Sequence, residues 1–156
     1  TVQKALAILC ECGWQIDFKV IGQIEDQSEI EKIKADSNTA YYPPTNKEGL
    51  IDYYRKADIF VLASHTETFG LVYAEAMSQG LPVIYTRGQG FDGQFEEGEV
   101  GFAVSDSDPK EIADAIKKVC RDYRRIATNV TSDVQKFKWA DICEEYREIY
   151  RGIVND

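Results

Sequence analysis

The stretch best equipped for chemistry is E-T-F-G-L-V-Y-A-E, bracketed by Glu67 and Glu75. Glu75 is a carboxylate among Leu71, Val72, Tyr73, Ala74, Ala76 and Met77, about one and a half turns into a helix-forming run. Helical side chains lean toward their own N-terminus, so this carboxylate is aimed back at whatever the helix start holds. It stands too far along to ligate an anion there itself. It is placed to accept hydrogen bonds from hydroxyls beside that anion, such as those of a ribose. The other use open to it is a polar stripe with Ser78 and Gln79, which lie within about 60° of it at 100° per residue. Gly70 lets a ligand approach the backbone at the helix start, where free N–H groups and the positive end of the dipole form an anion site. Glu67 stands between strand and helix, where a carboxylate most simply serves as a cap.

Two strands must hold this helix. D-I-F-V-L-A (Asp58 to Ala63) and L-P-V-I-Y (Leu81 to Tyr85) are apolar runs suited to a parallel sheet covered on both faces, and Gly80 is the expected stop between helix and second strand. Ligands of open parallel α/β sheets bind at such strand ends. The second strand empties into Thr86 to Gly93, a loop whose Gly88, Gly90 and Gly93 serve either a close ligand or a flexible turn. Arg87 is the cation of this loop; it reaches a phosphate or sugar oxygen, or it is a surface arginine. His65 is the only histidine. With no acidic or thiol partner in a local pattern, it is not assigned as a base or a metal ligand.

The remaining elements repeat the alternation. Val2 to Cys12 reads as a helix with Val2, Ala5, Leu6, Leu9 and Cys12 inward and Gly13 as its stop. Phe18 to Gly22 is a strand whose Gly22 permits close approach. Gln27 to Asp36 is a charged helix, Thr39 to Tyr42 a short strand, and Thr45 with Glu48 has the form of a capping box. The helix beyond directs Leu50, Ile51, Tyr54 and Ala57 inward. Gly101 to Val104 is the last strand. Asp108 caps a packing helix with Pro109 at its first position and Glu111 completing a second box. Phe137 to Ile153 ends the chain with an aromatic stripe at helical spacing, in a final helix over about 138–153. The pattern predicts an α/β fold: one Rossmann-like domain, 1–156, with an open parallel sheet flanked by helices.

Composition narrows the function. With 156 residues, 44% of them hydrophobic, the chain has material for one sizeable core. A net charge of −9 argues against nucleic acid or an anionic membrane surface as partner, while local dipoles still suit a small phosphorylated ligand. No apolar run reaches the ~20 residues of a membrane span, and the expected location is the cytoplasm. The four cysteines have neither metal nor disulfide spacing and are expected to be small, mostly buried thiols.

Embedded between Y-Y-x-x-A-D-I-F-V-L-x-S and A-M-x-x-G-x-P-V-I, the E-x7-E pair of Glu67 and Glu75 resembles the nucleotide-sugar-binding C-terminal domain of retaining GT-B glycosyltransferases of the group one type. The resemblance runs from Val20 to about Tyr150. It implies transfer of a sugar from a nucleoside diphosphate to an acceptor without an obligatory metal or other cofactor. Glu67 would contact the donor sugar near the reacting carbon, as the catalytic residue. Phe69, Gly70 and Leu71 would offer backbone donors to the diphosphate, Glu75 would hold the ribose, and Tyr42 or Pro43 would lie by the base. Gly22, Arg87 and Gly88 complete the expected donor-binding set. The family's G-x-G-P loop reads Gly22-Gln23-Ile24-Glu25 here, so that loop must differ in shape. The resemblance further implies an N-terminal acceptor domain as partner, absent from this chain. It also implies a final helix that braces that domain, leaving its aromatic stripe partly exposed here, and little turnover by this piece alone. Two other classes suit an α/β architecture: a sugar-nucleotide epimerase, and a receiver-like module, whose acidic cluster Gly22-Gln23-Ile24-Glu25-Asp26 matches poorly.

Overall fold

Short apolar runs alternate with helical stretches along most of the chain, as suits parallel pairing, and only the last strand is reached through a loop without a helix, residues 87–100. The computed structural model describes residues 1–154. In chain order the elements are α1 (Val2–Glu11), β1 (Phe18–Ile21), α2 (Gln27–Lys34), β2 (Thr39–Tyr42), α3 (Lys47–Tyr54), β3 (Phe60–Val61), α4 (Leu71–Ser78) and β4 (Val83–Thr86). There follow β5 (Gly101–Val104), α5 (Pro109–Arg121), α6 (Tyr123–Asp133), a 3-10 turn over Val134–Phe137 and α7 (Trp139–Val154). β1 pairs with β2, and β4 with both β3 and β5, all parallel, with Phe18 opposite Thr39, Phe60 opposite Val83 and Val83 opposite Gly101. The strands form two hydrogen-bonded groups, and the chain changes group between β2 and β3.

β4 is buried along its whole length, as a parallel strand covered on both faces must be. β3 is shorter than its six-residue apolar run. Phe60 N–H donates to Pro82 O and Leu62 N–H to Ile84 O, but Pro82 has no N–H with which to extend the ladder backward. Behind the strands Val83, Ile84, Val104, Ile112, Val119, Ile126 and Val130 form the core. An aromatic cluster of Tyr73, Tyr85, Phe91, Phe95 and Phe137 lies beneath α4.

Several local expectations are corrected. Asn46, not Thr45, caps α3, its side chain accepting from Gly49 N–H at 2.9 Å. Asp108 does cap α5, accepting from the N–H groups of Lys110 and Glu111, but Glu111 does not reach back to complete a box because its carboxylate is engaged elsewhere, as described below. The helical pattern after Asp108 divides at Asp122, whose φ of −107° and ψ of 19° separate α5 from α6. Cys12 lies past the buried face of α1 where the chain turns at Gly13, and is exposed, as are Cys120 and Cys143; Cys10 is half-buried. The stripe on α7 is exposed as expected, Trp139 by 73% and Tyr150 by 63%. Among the described residues no helix is long and apolar enough to cross a membrane.

Burial pushes the Tyr73 hydroxyl up to about 12, with the Glu67 charge adding to the shift, from an ordinary value near 10. The folded state therefore holds this proton more tightly than the unfolded chain. The associated stability is present below about pH 10 and is lost as pH rises toward 12. Chemical denaturation at stepped pH should show that decline, and Tyr73→Phe should flatten part of it; equal slopes in both proteins would count against the assignment.

Candidate functional site

The candidate site forms where β3 and β4 end and α4 begins. Gly70, at the N-cap of α4, has φ 77° and ψ 49°, a left-handed conformation that glycine adopts without strain. A Cβ on it would lie 2.4 Å from the Tyr73 ring. Gly70 is therefore required by the protein's own packing. Tyr73 in turn is buried and its hydroxyl donates to Leu62 O at 2.8 Å, which ties the first turn of the helix to the strand before it.

Glu67 supplies the cap. Its Oε1 accepts from Gly70 N–H at 3.1 Å, and the N–H groups of Leu71 and Val72 have no partner among the described residues. Unsatisfied donors at a helix start are an anion site. Leu71 is 59% exposed and Phe69 41%, the latter edge-on to Phe137 at 6.0 Å, so the mouth of this site is open.

Glu75 is exposed, and its carboxylate makes no hydrogen bond among the described residues. The polar stripe weighed for it does not engage it: Ser78 Oγ donates to the Glu75 carbonyl, and Gln79 is taken by Arg55 and Ser78. Its charge reaches the Tyr54 hydroxyl at the end of α3; burial first, and Glu75 second, push that group up to about 12. Gly22 lies at the end of β1, with its N–H donated to Tyr42 O at 3.2 Å and open space where a Cβ would stand. The Tyr42 ring lies 5.1 Å from that of Tyr53, tilted by 50°.

In the loop after β4, Arg87 and Gly88 both have partners within the protein. Arg87 Nη2 donates to Ala103 O at 2.9 Å and to Glu111 Oε1 at 2.6 Å, while Glu111 Oε2 accepts from Ser105 N–H at 2.8 Å. The Arg87 hydrogen bond holds the Glu111 carboxyl below the usual carboxylate range. Arg87 thus binds the start of α5 to the ends of β4 and β5, and its guanidinium is not directed to the α4 N-terminus by any contact. Gly88 N–H is likewise committed, to Asp92 Oδ2 at 2.7 Å. Arg87→Ala should leave nucleoside diphosphate affinity within twofold of wild type and lower stability by no more than about 1 kcal/mol, because the pair is largely solvated; calorimetric binding together with a melting curve checks both.

Two partnerships were invisible in the sequence. His65 Nδ1 meets Asp106 Oδ2, a residue 41 positions away, so no local spacing could signal it. Gln89 Oε1 accepts from Glu67 N–H at 2.9 Å. The sole hint was the glycine-rich loop around Gln89. Among the described residues no group of three or more His, Cys, Asp or Glu side chains could hold a metal.

Parallel α/β layers whose loops converge on an open helix start define a Rossmann-like ligand-binding domain. The chain belongs to the family of glycosyl transferases group 1, whose model matches residues 1–133. It is 35% identical over 117 residues to the D-inositol 3-phosphate glycosyltransferase of Corynebacterium kroppenstedtii, covering 73% of this chain and 26% of that protein. Identity is 37% over 116 residues to the enzyme of the same name from Corynebacterium jeikeium, covering 72% and 28%. The chain therefore spans about a quarter of the length of these relatives. In fold it is similar to sucrose-phosphate synthase from Thermosynechococcus elongatus, with TM-score 0.79 and 25% identity over 99% of this chain and 42% of that one. Anabaena HepE, solved with UDP and glucose, gives TM-score 0.79 at 21% identity over 96% and 44%.

Proposed function

We propose that the chain is the donor-binding domain of a retaining glycosyltransferase that moves a sugar from a nucleoside diphosphate to an acceptor, and that an N-terminal domain supplies the acceptor side. The observation that carries this reading is the start of α4. Among the described residues Leu71 and Val72 have unpartnered N–H groups, and the Glu75 carboxylate further along the same helix makes no hydrogen bond. The free amides suit a diphosphate, and the free carboxylate suits the two hydroxyls of a ribose next to it. Family membership and the UDP held by HepE support the reading, as does the greater length of the relatives for a second domain.

In this reading Glu67 has two tasks. One carboxylate oxygen caps the helix through Gly70 N–H, leaving the other to accept a hydroxyl of the transferred sugar. Negative charge develops on the leaving diphosphate as the glycosidic bond breaks, and the α4 dipole and free amides stabilise it. No metal is needed for that task. Phe69 stands at this mouth, Gly22 would serve the donor from the end of β1, and Arg87 and Gly88 would contribute through loop structure.

The test is an NMR titration of the chain with UDP and UDP-glucose at millimolar concentration. The amides of Gly70, Leu71 and Val72 should show the largest shifts. Shifts confined to other surfaces, or none, would sink the proposal.

A further inference from the structure

Glu67 is held at three points. Its carboxylate meets Gly70 N–H, its N–H meets Gln89 Oε1 at 2.9 Å, and its carbonyl accepts from Gly90 N–H at 3.2 Å. Two of the three come from the loop after β4. That loop lies against the one carrying Glu67 so closely that a Cβ on Gly90 would stand 1.7 Å from Thr68 O and 2.9 Å from Phe69 Cα. Its own position is fixed from below, because Phe91 is 2% exposed within the rings of Tyr73, Tyr85, Phe95 and Phe137. Within the loop Asp92 N–H returns to Gln89 O at 2.8 Å, which restrains the backbone from which the Gln89 side chain extends.

We propose that Gln89 is a positioning residue for Glu67: its carboxamide, carried on the Phe91-anchored loop, sets where the Glu67 carboxylate stands and so determines recognition of the transferred sugar. This rests on the donor-binding reading above. The glycines of the loop thereby gain a role other than cradling an anion, since Gly90 permits two backbones to meet. A carboxylate that must meet a particular sugar hydroxyl tolerates little displacement, because groups supporting a site hold it to fractions of an ångström. The diphosphate contacts at Leu71 and Val72 do not depend on Gln89, so loss of the clasp affects the sugar alone.

Two measurements on the whole chain test this, with Gln89→Ala and with Gln89→Glu, which keeps an acceptor oxygen. Hydrogen exchange at the Glu67 amide should be about tenfold faster or more in Gln89→Ala, on the scale of one lost hydrogen bond, and near the wild-type rate in Gln89→Glu. In NMR titrations of the wild type, UDP-glucose should shift the Glu67 amide where UDP does not. In Gln89→Ala that difference should vanish and UDP-glucose affinity should fall several-fold, with UDP affinity unchanged and Gln89→Glu restoring the wild-type pattern. An unaltered exchange rate in Gln89→Ala overturns the clasp. Faster exchange with sugar recognition intact overturns the positioning role and leaves a structural bond. If the wild type shows no response to UDP, the donor-binding reading fails instead, and the exchange rates still decide whether the clasp exists.

Discussion

Gly101→Ala should unfold this domain at a temperature roughly 6–20 °C below the wild type. β5 begins at Gly101, directly opposite Val83 of the central strand. A Cβ added there would stand 1.6 Å from Val83 O and 2.7 Å from Val83 C. Both are backbone atoms of a fully buried strand, so no rotamer change can relieve the clash. β5 must move outward, which breaks the bond from Val83 N–H to Val100 O at 3.1 Å and opens the core beside Val104. Overpacking with loss of a buried hydrogen bond costs on the order of 3–5 kcal/mol. Each kcal/mol lowers the melting temperature by roughly 2–4 °C at this size. Gly152→Ala is the control, because it lies in α7 with nothing within 4 Å of the added methyl, and it should melt at or slightly above the wild-type temperature. Circular dichroism melts decide the matter; a Gly101→Ala protein within 2 °C of wild type would show that β4 and β5 are not so closely apposed.

The largest functional effect should come from Glu75→Ala, which is expected to weaken UDP binding by about 10- to 100-fold while leaving the melting temperature nearly unchanged. The side chain is exposed and has no hydrogen bond to lose among the described residues, so the fold should be insensitive to its removal. Hydrogen bonds to a charged group are each worth about 1.5–3 kcal/mol, and 1.4 kcal/mol is tenfold in affinity. A UDP analogue lacking both ribose hydroxyls separates the ribose role from a general electrostatic one. It should bind wild type and Glu75→Ala equally, since a coupling energy appears only when both partners are present. A loss of the same size for the analogue would remove Glu75 from the ribose.

Much of the architecture was legible because it is written over short distances. The apolar run of β4, the helix from Leu71 to Ser78 and the stop at Gly80 depend on neighbours within a turn or two, and pattern and glycine placement reveal them. Asp108 was legible as a cap for the same reason. The errors arose where two local solutions compete. Asn46 and Thr45 are both good caps, and only the packing of α3 selects between them. Glu111 satisfies the spacing of a capping box, yet Arg87 and Ser105 offer its carboxylate a charged and a backbone donor at once, which together outweigh one helix-end amide. The cysteines were expected inside from their chemistry alone, whereas exposure is decided by which helix face each one occupies.

For the site, the sequence by itself determined that a glycine-started helix follows a strand, and that Glu75 lies on that helix about one and a half turns in. Helix geometry dictates both. Only the tertiary structure decided that Glu75 is unengaged, that Arg87 turns to Glu111, that His65 has Asp106 beside it and that Gln89 holds Glu67. These pairings join residues 22 to 41 positions apart on different loops. Their partners are chosen by how the strands stack and where Phe91 is buried, and no periodicity in the chain encodes that choice.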